Sequence, residues 1–232
     1  MINAADVPDD EAPLTPEQML ALSAQQSVNT ELKSTAPVAG MYIVWGVAWA
    51  IGYLLHWSNT GGNPWFTVST QTTIIGFTAL MIAGSIYSIV SGMRIDRGVR
   101  GKGKFSGAIY GLSWAVLSTA TALIGVALIQ AGMNSDLAAI YFPCAFTFMV
   151  GSMYLFGAAL WSSSHSLWLG LWLIAVAVVA AFIGKPQHYL LVAVAGGGMI
   201  IATGVAMILA RKREQTEADR RFASAQGTAD TP

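Results

Sequence analysis

Charge is the scarcest commodity in this chain. Asp, Glu, Lys and Arg make up 10% of its 232 residues, against about a quarter in a typical soluble domain. Twelve basic residues cancel twelve acidic ones, and 54% of the chain is hydrophobic. That balance excludes a disordered chain, a nucleic-acid binder driven by bulk charge, and most water-soluble globular folds. No nucleic-acid partner is expected. Cysteine is nearly absent too. Cys144 stands alone in an apolar stretch, so the chain can form neither an internal disulfide nor a cysteine-based metal site. No secretory leader is expected either: residues 1–37 are polar and acidic, with Asp6, Asp9, Asp10, Glu11 and Glu17 and no basic start before an apolar core. Insertion is expected to proceed through the chain's own transmembrane helices.

What the chain has in quantity is long apolar runs. At about 1.5 Å per helical residue, a hydrocarbon core of about 30 Å needs about 20 of them. Six segments qualify, at roughly 38–57, 71–93, 106–131, 138–161, 166–184 and 188–210. The expected fold class is all-α, a polytopic six-helix membrane protein in contact with the lipid bilayer. A basic loop, Arg94, Arg97, Arg100, Lys102 and Lys104, separates the second and third runs, and Arg211-Lys212-Arg213 follows the sixth. The positive-inside rule places both in the cytoplasm. With six spans, both termini follow them there, in a plasma (cytoplasmic) membrane. Eleven basic residues then lie inside, and the short outer loops keep only Asp136 and Lys185 as charges.

Three regions are expected: a cytoplasmic segment 1–37, a transmembrane domain 38–210 and a cytoplasmic tail 211–232. Leu14-Thr15-Pro16-Glu17-Gln18-Met19 reads as a helix start. Thr15 can cap, Pro16 suits the first helical position, Gln18 can complete a capping box, and Leu14 and Met19 can staple. The helix, about 16–32, is amphipathic and lacks the basic face of a membrane-surface helix, which favours contact with protein.

In the first span Tyr42, Trp45, Trp49, Tyr53 and His56 recur at helical spacing. They read either as packing and interfacial anchoring or as the aromatic wall of a pocket. His56 and His188 fall at the outer ends of the first and sixth spans. They read either as interfacial histidines wetted by headgroups or as a metal, haem or pH-sensing pair. Gly196, Gly197 and Gly198 inside the sixth span permit close helix approach, or expose carbonyls to a ligand. Gly84, Ser88 and Gly92, and Gly107 with Gly111, fit the packing pattern. The 94–104 loop is explained by topology, with an anionic-lipid or phosphate site as the functional alternative; it lacks Walker spacing.

No ionisable residue lies at mid-membrane, where proton pumps, voltage sensors and many ion transporters keep them. No proline is expected in the middle of a span, because Pro143 falls in the first turn of the fourth, so broken helices are not foreseen. No buried acid or histidine is placed to activate a hydroxyl, so no enzyme, catalytic residue or cofactor is expected.

Leu14–Leu22 (LTPEQMLAL), Val44–Gly52 (VWGVAWAIG), Gly98–Trp114 (GVRGKGKFSGAIYGLSW) and His188–Met199 (HYLLVAVAGGGM) resemble a family of six-span actinobacterial membrane proteins sometimes labelled simply "transporter". The resemblance implies membrane location and six spans, and no substrate or site residues. The span layout is also similar to that of six-span acetate transporters. Their Asn-Pro signature precedes the first span, whereas Asn63-Pro64 here lies after it.

The leading expectation is a permease or channel for a neutral or weakly polar solute, or the membrane subunit of a larger transporter. Its lining would be Trp45, Trp49, Tyr53, His56, His188, Tyr189 and the triple glycine. The 94–104 loop and the N-terminal helix would dock a transporter-complex subunit or another cytoplasmic protein. The alternative is a scaffold, sensor or regulator that presents its cytoplasmic helix. A haem- or metal-binding protein using His56 and His188 is the remaining class. Oligomeric state is left open.

Overall fold

A computed structural model describes residues 16–95 and 102–229; the side chains of residues 16–18, 20–35, 102, 104 and 217–229 lie outside the description. The described chain is all helical: α1 (Pro16–Asn59), α2 (Thr70–Ile95), α3 (Lys102–Gln130), α4 (Ser135–Trp161), α5 (Ser164–Ile183), α6 (Gln187–Leu191), a π-helical segment Val192–Gly197, and α7 (Gly198–Ala229). Six stretches are long and apolar enough to cross a membrane: Ala36–Asn59, Thr70–Ile95, Phe105–Gln130, Ser135–Trp161, Ser164–Ile183 and Gln187–Thr216. The six expected runs and the all-α class stand.

Three expectations about the helices change. The helix expected over about 16–32 and the first span form one continuous helix, with Pro37 inside it; the proposed cap and staple at Leu14 and Thr15 lie outside the described residues. The fourth span starts earlier than its hydropathy suggests. The Oδ1 of Asn134 accepts the Leu137 amide at 2.8 Å and caps the helix there. Pro143 is therefore inside α4 and buried, rather than in its first turn. The sixth span is not one α-helix, because the π segment interrupts it.

The core gathers Tyr42, Trp49 and Tyr53 of α1 with Tyr154 of α4, four residues of α5, Tyr189 of α6, Val192, Ala193 and Ile200. Glycines bring its helices together, since without side chains the backbones can touch. A Cβ on Gly197 would lie 2.7 Å from the Ala50 amide nitrogen, and one on Gly46 2.8 Å from the Gly197 carbonyl oxygen. Gly151 and Gly170 do the same for α4 and α5, each facing the other's carbonyl oxygen at 2.9 and 2.8 Å. Ser162, in the left-handed region at φ 51°, and Ser163, whose Oγ accepts the Ser166 amide, make the turn that returns α5 along α4.

The other two spans sit at the rim. α2 packs on α1 and buries only Thr73, Gly84 and Ser91. α3 packs on α4, and of its residues with a described burial Gly125 alone is buried. Their remaining surfaces are rows of exposed Ile, Leu and Val, which suits hydrocarbon as the surrounding solvent.

Candidate functional site

The aromatic stripe of α1 divides between two neighbours. Tyr42, Trp49 and Tyr53 face the core. Trp45 turns toward α2, where its Nε1 donates to the Ser88 hydroxyl at 2.8 Å and its ring lies over Gly84. Gly84 and Ser88 therefore serve Trp45, while Gly92, Gly107 and Gly111 have nothing among the described residues near where a Cβ would be.

At the His56 end of the bundle five rings meet. His56 stacks on Tyr189 at 5.3 Å and meets Phe77 edge-on at 5.1 Å; Tyr53 touches Phe77 and Tyr189; His188 lies 3.9 Å from Tyr189. His56 and His188 thus flank one tyrosine. His188 is not an interfacial histidine wetted by headgroups: it is 0% exposed.

Its burial has a cause in α4. A helical carbonyl bonds the amide four residues on, and proline has none. Pro143 therefore leaves the Ala139 carbonyl without its intrahelical partner, a costly vacancy within a membrane. The Nε2 of His188 lies 3.0 Å from that oxygen, and its Nδ1 lies 3.1 Å from the Gly184 carbonyl. Both carbonyls only accept, but the Gly184 oxygen already takes the His188 amide at 2.9 Å and the Ala139 oxygen has lost its helical donor, so we assign the ring proton to Nε2 and the Ala139 bond. Both ring nitrogens are turned to backbone, so the two histidines are not presented as a ligand pair. Among the described residues no group of three or more His, Cys, Asp or Glu gathers to hold a metal. Beside this tie, Lys185 and Asp136 form an ion pair at 2.8 Å. The two charges expected on the outer face are thus partners that join α4 to the turn before α6.

The glycine run has three different environments. Gly197 is pressed against α1; Gly196 has only ordinary contacts, including the Trp49 ring at 3.7 Å; Gly198 faces open space. Close packing holds for one glycine of the three. The π segment around them is tied by Trp172, whose Nε1 donates to the Ala195 carbonyl at 2.8 Å. Trp49, Tyr53 and Tyr189, expected to line a pocket, are each 5% exposed and embedded among aromatic and aliphatic side chains.

A second cluster at the Tyr42 end escaped the reading of the sequence. The Tyr42 hydroxyl is 3.0 Å from Ser166 Oγ, which donates to Ser163 Oγ at 3.1 Å. Tyr154 lies against Tyr42 and Trp114, and Tyr110 against Trp114 and Trp161. Tyr110 and Trp114 are four apart, Tyr154 and Trp161 seven apart, so each pair shares a helix face; that spacing was the available signal. Of the basic loop, Arg94 lies in the last turn of α2 and is exposed. Arg97 and Arg100 lie outside the described residues, and Lys102 and Lys104 are placed only by their backbone at the start of α3.

No family model, no curated protein and no solved structure matches the chain. By its six apolar helices it is an integral, multi-pass membrane protein.

Proposed function

We propose that the chain is a membrane subunit that acts by assembling with other membrane helices, as part of a transporter or another complex, and does not pass a solute through its own bundle. The observation that carries this reading is the contrast between the closed aromatic seam and α3. Trp49, Tyr53 and Tyr189, which would line a path, are each 5% exposed, while α3 leaves Gly107 and Gly111 with no neighbour among the described residues where a Cβ would be. Glycines one helical turn apart let a second helix approach closely. Purification in mild detergent, with the mass of the assembly measured, tests the reading. Wild type is expected to carry companion subunits or a second copy, and Gly111→Leu to lose them. A wild-type chain that is a lone monomer in bilayers, unchanged by Gly111→Leu, overturns it.

A second reading keeps the chain as a permease for a neutral or weakly polar solute. The π segment beside Trp49 favours it, because π turns inside α-helices are frequent at functional sites. Uptake into proteoliposomes that is unchanged in Trp49→Ala and His56→Ala, for every solute tried, would sink it.

A further inference from the structure

The His188–Ala139 bond, the π segment and the His56–Tyr189 stack lie in one short stretch of the sixth span, and the π segment couples them. A π turn holds one residue more than an α turn. On the C-terminal side of that extra residue, Gly197 and Gly204 are pressed on α1, with a Cβ on Gly204 meeting the Ala39 carbonyl oxygen at 2.8 Å. On the N-terminal side, Gln187–Leu191 is held by His188 on α4 and Tyr189 on α1. Between the two, Trp172 holds the Ala195 carbonyl.

We propose that the sixth span has two registers, and that the bond from His188 to the Ala139 carbonyl is the latch that selects the one described above. When the latch opens, the π turn relaxes to an α turn while α7 stays on α1. Gln187–Leu191 then advances by one residue and turns by about 100°. Tyr189 enters the place of His188, and Leu190 replaces Tyr189 against His56. His188 moves to the exposed place of Gln187. The aromatic stack on His56 becomes an aliphatic contact, so the His56 end presents a different surface in each register. Glycines at 196, 197 and 198 let the segment re-form without a Cβ striking α1. Pro143 keeps the Ala139 carbonyl open for the latch.

Exchange of the histidine C2 proton for deuterium, read by mass spectrometry on the full chain in bilayers, follows the exposure of His188 directly. Pro143→Ala supplies an amide to the Ala139 carbonyl and so competes with the latch. The His188 exchange rate is expected to rise about tenfold, as for a local opening that gains population. Deleting Val194 in the same variant removes the extra residue and is expected to return His188 to its wild-type rate. Trp172→Phe, which frees the Ala195 carbonyl and leaves α4 untouched, is expected to raise the rate as well. A wild-type rate in either substitution overturns the latch. A fast rate that survives the deletion overturns the two registers.

Discussion

The glycines of the packed half and those of the rim are the same residue put to different work. Gly46, Gly151, Gly170 and Gly197 lie where backbones meet, in the assembly of α1 with α4, α5, α7 and the π segment. Gly107 and Gly111 of α3 meet nothing among the described residues. Composition and spacing do not separate the two groups. What separates them is whether a helix from the same chain occupies the opposite side. Glycine in a membrane helix thus marks a place where something can come close, and only the fold says whether that something is internal.

The sharpest way to break the contrast is to fill the space. Gly197→Leu puts a branched side chain where a single Cβ would already sit 2.7 Å from a backbone nitrogen. It is expected to cost about 3 kcal/mol or more, at the upper end for overpacking a core, and to abolish the folded protein in a detergent thermal melt. Gly198→Leu, one residue on and facing open space, is the control and is expected to melt with the wild type. Equal losses in both would mean that helix propensity, not packing, governs the run.

The next effect belongs to the tie between the helices. His188→Leu removes the donor that meets the Ala139 carbonyl and is expected to cost about 1–3 kcal/mol, the range for a buried acceptor left unmet. Adding Pro143→Ala supplies an amide from within α4 and is expected to recover much of that loss. Non-additivity of the two substitutions in a double-mutant cycle checks it; simple additivity would show that the ring and the proline are independent.

These residues also mark where the sequence was legible. The six spans were readable because a hydrocarbon solvent demands about 20 apolar residues in a row, a signal that survives small errors at the ends. The role of Pro143 was not readable, because it depends on where α4 begins. Asn134 sets that start, several residues before the hydropathy rises clearly. The π segment is one extra residue in an apolar run, which leaves no mark on hydropathy. The α1 stripe was readable as a stripe. Its division, with Trp45 on α2 and Trp49 in the core, required knowing that two different neighbours flank that arc.

On the rim the expected effects invert. Gly111→Leu should change the thermal midpoint of the isolated chain little, within about 0.5 kcal/mol as for a surface position, because among the described residues no other helix comes within 4 Å of where its Cβ would be. Its effect is expected in the mass of the assembly. Loss of folding with no change of mass would move α3 from the rim into the core and remove the basis for a subunit.

The smallest effect separates the two ties that join α4 to the turn before α6. Lys185 and Asp136 pair at 2.8 Å, but the Asp136 side chain is 76% exposed. Exposed pairs contribute about 0–1 kcal/mol and are screened by salt. Asp136→Asn is therefore expected to lower stability by less than about 0.5 kcal/mol in low salt and by nothing measurable in high salt. His188→Leu should keep its full cost in both, because a bond between a buried ring and a backbone carbonyl is beyond the reach of mobile ions. If Asp136→Asn matched His188→Leu at either salt concentration, the surface charges would be carrying the junction. The special place given to the carbonyl that Pro143 leaves open would then be lost.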